Sequence, residues 1–382
     1  MRKYIVLLIG IMLLMQSCAT NDEYIEFVTY NQISCVVDHT LYSLYNYNRG
    51  PYQISTDLMQ SKILCSNPIC DHTQFDCISY PMNRTMSIST DGNALYMYSY
   101  IKDETEFHNV IWRYDIDTQE TEILYEMPFN EDGYPSNISV YNGYVYFYTY
   151  GKENYYLSRI PTDGGKLVQL DIPFYSGYGI AFSDNYIYYI NNGVEIIRYN
   201  LLTKSHEIIY ECPLEIGSAI RINEKNGILF ITYRSYIPGM PDGYDSEFEV
   251  LTTYEYDTLT GNIQKLHENA DIFEYCITDN IIFYTEFKRV ATGEIIELKD
   301  PTNDEMKEYM IYNRNDIYCI YNIDSKEIIQ FNKGDVSILN LIYACDDYYI
   351  IEGSNNGKNQ YYKMTITNGT AIYESIEEAF IS

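Results

Sequence analysis

The sequence predicts an all-β fold, a single β-propeller of four-stranded antiparallel blades. Three observations carry that reading. Seven short segments share one grammar: a polar turn, then a run apolar on both faces with an aromatic or an isoleucine at its centre. They are HTLYSLY from His39, NALYMYSY from Asn93, GYVYFYTY from Gly143, NYIYYI from Asn185, GILFIT from Gly227, NIIFYTE from Asn280 and DYYIIEG from Asp347. Each is followed by a strand–turn–strand element, among them IWRYDIDTQETEIL, IIRYNLLTKSHEIIY and TYEYDTLTGNIQKL. The centres Tyr42, Tyr96, Tyr146, Tyr188, Phe230, Phe283 and Ile350 recur about every 50 residues, within the period range of propeller blades.

Each strand of the unit has its own reason. The first strand carries a small residue seven places before the centre, Cys35, Ser89, Ser139, Ala181 or Cys276. Small side chains suit the crowded strands beside a propeller axis. The second strand is continuously apolar and not alternating, because a neighbouring blade covers each of its faces. The third and fourth strands form a hairpin whose turn is built from Asp, Asn, Gly, Thr or Ser, residues that tolerate tight-turn backbone angles. Two stacked sandwiches would also absorb many short strands, but they do not require one unit seven times over. The first unit is the most degenerate, with QISTDL and SKIL in place of its outer hairpin, so six to eight blades bracket the expected seven.

The chain opens MRKYIVLLIGIMLLMQSC. Arg2 and Lys3 precede an apolar run from Tyr4 to Met15, too short to span a bilayer and followed by Gln16-Ser17 before Cys18. Residues 1–17 therefore read as an export signal, 18–29 as a tether and 30–382 as the propeller. Cys18 stands where a bacterial lipoprotein is acylated, with Met15 in the place usually held by Leu. The expected location is the outer face of the cell membrane, held through the N-terminal lipid alone.

A net charge of −29 opposes nucleic acid and anionic lipid as partners through long-range repulsion. The 45 tyrosines rise together with Ile and Asn, as AT-rich codons would produce.

One stretch stands apart. CSNPICDHTQFDC places Cys65, Cys70, His72 and Cys77 in the connection from the first unit to the second. Three thiolates and an imidazole are a tetrahedral set for structural zinc, although the spacing is not that of a zinc knuckle. An exported chain would equally form one disulfide among Cys65, Cys70 and Cys77 with a spare thiol, and a reduced structural corner is the third reading. The repeats together with this Cys-x4-Cys-x-His-x4-Cys segment resemble a group of TolB-like bacterial propeller lipoproteins without an established activity. The resemblance implies the fold and the address and no chemistry. Asn67 stands where that group commonly has Asp before the proline, here Pro68.

No G-x-S-x-G elbow, H-E-x-x-H helix, Walker or Rossmann glycine pattern or EF-hand loop occurs, and no catalytic residue is assigned. Elaborated loops on a rigid scaffold are where binding concentrates. The fifth unit carries a long second-to-third connection, YRSYIPGMPDGYDSEFEV, and the sixth carries KRVATGEIIELKDPTNDEMKEYMIYNRND. Both fall on the same face as the Cys/His segment. Tyr236, Asp242, Tyr244 and Asp245 are the candidate ligand-binding residues, aromatic surface beside carboxylate. The expected function is a monomeric binding or scaffolding module for a protein, peptide or glycan. The alternatives are a glycan-acting enzyme using carboxylates, which would need a convergent acid pair near the axis, and an envelope assembly factor.

Overall fold

The computed structural model describes residues 18–19, 34–37, 40–44, 52–55, 60–65, 84–102, 107–127, 138–150, 155–173, 179–212, 218–236, 249–270, 276–277, 281–299, 306–344 and 348–378. All regular structure among them is β-strand. The strands fall into consecutive antiparallel meanders. The first unit comprises Ser34–Val37, Thr40–Ser43, Tyr52–Ser55 and Gln60–Ile63; the second Arg84–Thr90, Ala94–Lys102, Phe107–Asp115 and Thr121–Met127. The third is Ile138–Tyr141, Tyr144–Tyr150, Tyr155–Pro161 and Val168–Pro173; the fourth Ile180–Ser183, Tyr186–Asn191, Glu195–Asn200 and His206–Glu211. Ser218–Lys225, Ile228–Tyr236, Glu249–Asp257 and Ile263–Ala270 make the fifth, and Cys276–Ile277, Ile281–Lys299, Met306–Asn322 and Ile328–Phe331 the sixth. The last is Ser337–Ala344, Tyr349–Asn355, Lys358–Thr367 and Thr370–Ser375. Fifth and sixth units share a single bridging pair, Ala270 with Glu286.

The seams between units make this a propeller and not a sandwich. Along the second strand of the second unit, Leu95 and Met97 pack into a cluster with the first unit, and Tyr96 and Tyr98 into one with the third. The third unit repeats this, with Val145 and Phe147 facing back and Tyr146 and Tyr148 facing forward. In the fourth, Ile187 and Tyr189 face back while Tyr188 and Ile190 face forward. Phe230 and Phe283 continue the forward series into the sixth and seventh units. Successive strand residues point to opposite faces, so a sheet with a neighbour on each face must be apolar at every position. The second to sixth sheets thus each pack between two others, which a two-layer sandwich cannot provide.

The first strands of the first and second, second and third, and fourth and fifth units touch one another, as expected where blades converge. There the small side chains bond across the seam. The Ser87 and Ser89 hydroxyls accept the Ile138 and Val140 amides at 3.2 and 3.1 Å. A larger residue would push the strands apart.

Both ends of the chain add short parallel pairings to the first unit. Glu377–Glu378 runs beside Gln60–Ser61 on its outer strand, and Cys18–Ala19 beside Val36–Val37 on its innermost. The sixth-unit insertion, expected as a loop, is instead a continuation of its hairpin. Pairing extends from Ile281 with Asn322 to Lys299 with Met306, with one register shift between Ala291 and Ile295. Its Ile, Tyr and Met content has the β-propensity to continue the ladder once the blade has nucleated it.

Candidate functional site

In every described unit both hairpin turns lie at one end of the strands. The first-to-second turns of the third and fifth units are Asn-Gly, with φ of 47° and 73° at Asn142-Gly143 and 52° and 80° at Asn226-Gly227. Positive φ at both central residues gives the twist that matches a hairpin. The third-to-fourth turns use a side-chain cap: the Asp257 carboxylate accepts the Leu259 and Thr260 amides, and the Asn200 amide oxygen those of Leu202 and Thr203.

These turns enclose a cavity of about 700 Å³ at the mouth formed by units two to five. Its floor is the ends of the first strands, Thr90, Val140, Phe182 and Glu224, and it runs outward between units four and five over Tyr188, Arg198 and Thr258. One wall is Tyr141 stacked on Phe182, ring centroids 5.1 Å apart. The rim is knit across units. Asn142 Nδ2 of the third unit donates to the Asp184 carbonyl of the fourth at 3.1 Å, and within the fifth unit Thr258 Oγ1 donates to the Gly227 carbonyl at 2.7 Å, tying its two turns together.

Three carboxylates line the space, each differently placed. Asp91 is well partnered, accepting from the Asn93 and Ala94 amides and from the Tyr96 hydroxyl at 2.8 Å. Asp184 is exposed on the rim. Glu224 is 4% exposed and accepts the Gly227 amide at 2.6 Å. Burial pushes its carboxyl above the usual range, and the Asp184 charge adds to this against the hydrogen bonds from Gly227 and Ser183. Burial, with the charges of Asp184 and Glu224 behind it, lifts the Tyr141 phenol to about 12. The one lining guanidinium, Arg198, is held outward by Glu207 at 2.6 Å and lies 4.9 Å above the Tyr186 ring.

Glu224 belongs to an unusual strand. Arg221, Asn223, Glu224 and Lys225 are all buried on the innermost strand of the fifth unit, whereas the other described inner strands bury small, hydroxyl and apolar side chains. Neither end of the Asn223 amide has a partner. Buried charge and unpaired amides work against stability, so a packing role alone does not account for this strand. None of the four is among the candidate residues drawn from the sequence. The signal was present in RINEK, which breaks the small-and-apolar pattern of the repeat's first strand.

The residues singled out from sequence are placed as follows. Cys18 pairs in the ladder with Val36. Cys65 follows the outer strand of the first unit and sits close enough to Tyr114 for its charge to raise that phenol, after burial. Cys70, His72, Cys77, Asp242, Tyr244 and Asp245 lie outside the described residues. Tyr236 ends the second strand of the fifth unit, paired with Glu249. That is the far end from Asn226-Gly227, about 25 Å away at roughly 3.3 Å per residue. Among the described residues no group of three or more His, Cys, Asp or Glu is placed to hold a metal ion. Cys212 and Cys319 are buried, and burial lifts both thiols to about 11, so they are protonated at neutral pH.

No protein-family model matches the chain, and no curated protein does. Several solved structures are similar to it. TolB from Acinetobacter baumannii is 12% identical with a TM-score of 0.41, over 79% of this chain and 61% of that one. The chain therefore spans about three fifths of TolB. YjhT is 9% identical over 75% of this chain and 96% of its own, TM-score 0.40. A chain of the Mitotic Checkpoint Complex is 10% identical over 88% and 90%, TM-score 0.49. The propeller architecture itself stands on the pairing and the seams described above.

Proposed function

We propose that the chain is a lipid-anchored, extracytoplasmic propeller of seven blades that works as a binding module for a protein, peptide or glycan at the cell surface. In this reading it belongs to the TolB-like lipoprotein group that its repeats and Cys/His segment resemble. The observation that supports binding most directly is the recessed cavity among units two to five, walled by aromatic rings and convergent polar groups on a frame of stacked sheets. The 236–245 connection remains the rival site on the opposite face. Residues 65–77 are proposed as a corner held by structural zinc or by one disulfide. Metal content and thiol alkylation of the purified chain separate those two.

A screen of glycans and peptides, repeated on two variants, tests the assignment of the face. Leu259, 92% exposed at the cavity edge, can be enlarged without touching the core. Leu259→Trp is expected to abolish binding of any ligand the screen finds. Replacing 237–246 with a short Gly-Asn turn is expected to leave it intact, since loop shortening changes closure entropy only modestly. The reverse outcome assigns the site to the 236–245 loop.

Anchoring is tested separately. Cys18→Ser is expected to release the chain from the membrane fraction or leave its signal uncleaved. A Cys18→Ser chain that stays membrane-bound with a normally cleaved N-terminus refutes the anchor.

A further inference from the structure

We infer that the cavity at the hairpin mouth recognises a cationic group, a protonated amine or guanidinium carried by a peptide side chain or by a free amine. The inference rests on the binding-module reading and narrows it to one chemistry.

The charge inventory points this way. Asp91, Asp184 and Glu224 line the space against one cation, Arg198, which is already paired with Glu207 outside the cavity. Two neighbours register the surplus negative field. The Asp184 charge bears on Glu224, and the charges of both on Tyr141, whereas at Tyr188 the Arg198 charge outweighs that of Glu224. In each case the shift caused by the carboxylate adds to that caused by burial. An anionic ligand would meet this field and a chain of net charge −29. A neutral polyol would gain hydrogen bonds and nothing from the field. A cation gains from both, because charge-assisted hydrogen bonds are about twice as strong as neutral ones.

The walls suit the same group. Tyr141, Tyr186 and Tyr188 offer rings beside the carboxylates, and the Tyr186 ring already holds a guanidinium, that of Arg198 at 4.9 Å. Cations seat on such faces within about 6 Å of the ring centre. The exposed Leu259 at the edge and the buried Glu224 at the floor give the space an apolar lip and a charged base, the arrangement a long basic side chain fills with its stem and its head.

Calorimetric titration of the full chain at 0.15 M salt decides it, a strength at which surface charges are screened beyond about 8 Å. The probes are N-acetyl-lysine methylamide, N-acetyl-arginine methylamide and cadaverine, with N-acetyl-norleucine methylamide and galactose as neutral controls. Saturable binding of at least one cationic probe at a single site is expected, with neither neutral control binding. The amino-acid amides against cadaverine show whether the source is a peptide or a free amine. Asp184→Asn, on the exposed rim, should weaken that binding about tenfold, and Leu259→Trp should block it. Glu224→Gln keeps an oxygen for the Gly227 amide and should weaken it comparably, with unfolding curves confirming that it is folded. Cation binding indifferent to Asp184→Asn and Glu224→Gln overturns the inference. Galactose binding that Leu259→Trp blocks, with no cation bound, overturns it while leaving the binding-module reading in place. If the cations and both neutral probes fail and the broader screen also finds no ligand, both readings fall.

Discussion

Phe283→Ala is expected to lower the free energy of unfolding by about 3–5 kcal/mol, the range for removing a fully buried aromatic ring. Phe283 is 0% exposed and is the forward-facing centre of the sixth unit. Its ring lies 6.4 Å from that of Tyr318 and 6.2 Å from that of Phe331, and the same cluster takes in Leu341, Ile351 and Met364 of the last unit. Truncation to alanine leaves a void between two close-packed sheets, the sixth also held by the fifth on its other face, so little relaxation is available to fill it. Urea unfolding measures the effect as a lower midpoint at unchanged slope. Ile372→Ala is the control. Ile372 is 55% exposed on the outermost strand of the last unit and should change stability by less than about 0.5 kcal/mol. A loss below about 1 kcal/mol for Phe283→Ala would mean that the seams do not hold the ring together.

That contrast also shows what the sequence made legible. The forward-facing series from Tyr42 to Phe283 could be read because each unit repeats it, and periodic hydrophobicity reports directly on which faces are covered. The small residues at Ser89 and its equivalents were readable for the same reason, and the structure adds their purpose at Ser87 and Ser89, bonds to the next strand's amides. The sixth-unit insertion was misread as a loop. Its length exceeded the repeat, and nothing local states that 281–299 and 306–322 will pair along nearly their whole length. The terminal pairings of Cys18–Ala19 and Glu377–Glu378 were invisible because two residues carry no period. The cavity was least legible of all. Asp91, Tyr141, Asp184 and Glu224 come from four different units, and only the closing of sheets around a common axis brings their turns together. Loop length in the sequence points to the face of the longer connections. The carboxylates Glu224 and Asp184 line one cavity at the hairpin end instead. The Glu224 carboxylate caps its own turn, and Asp184 sits exposed.

A second large effect is expected where the repeat breaks its own rule. On the third strands of the second, third and fourth units an arginine stands directly across from the central tyrosine: Arg113 from Tyr96, Arg159 from Tyr146, Arg198 from Tyr188. In the fifth unit the centre is Phe230, which has no hydroxyl for an arginine, and the opposite residue is Glu255. Its carboxylate reaches into the sixth unit. It accepts from the Tyr321 hydroxyl at 2.9 Å and Lys326 Nζ at 3.0 Å, as well as from Gln264 Nε2 of its own unit at 2.5 Å. Glu255→Ala is expected to destabilise by about 2–3 kcal/mol, the range for losing hydrogen bonds to a charged group. The loss stays below that of a closed buried pair because Lys326 is half-exposed and returns to water. The pH dependence separates charge from packing. Burial works to raise the Glu255 carboxyl, but the hydrogen bonds from Lys326, Gln264 and Tyr321 outweigh it and hold the group below the usual glutamate range. A group whose folded pKa is depressed contributes stability above its unfolded value, about 4.3, and loses it as pH falls through the folded one. The gap between wild type and Glu255→Ala should therefore be full at pH 7 and narrow steadily below about pH 4, measured by urea unfolding at each pH. A gap as wide at pH 3 as at pH 7 would show that the side chain stabilises this seam by its bulk and not by its charge.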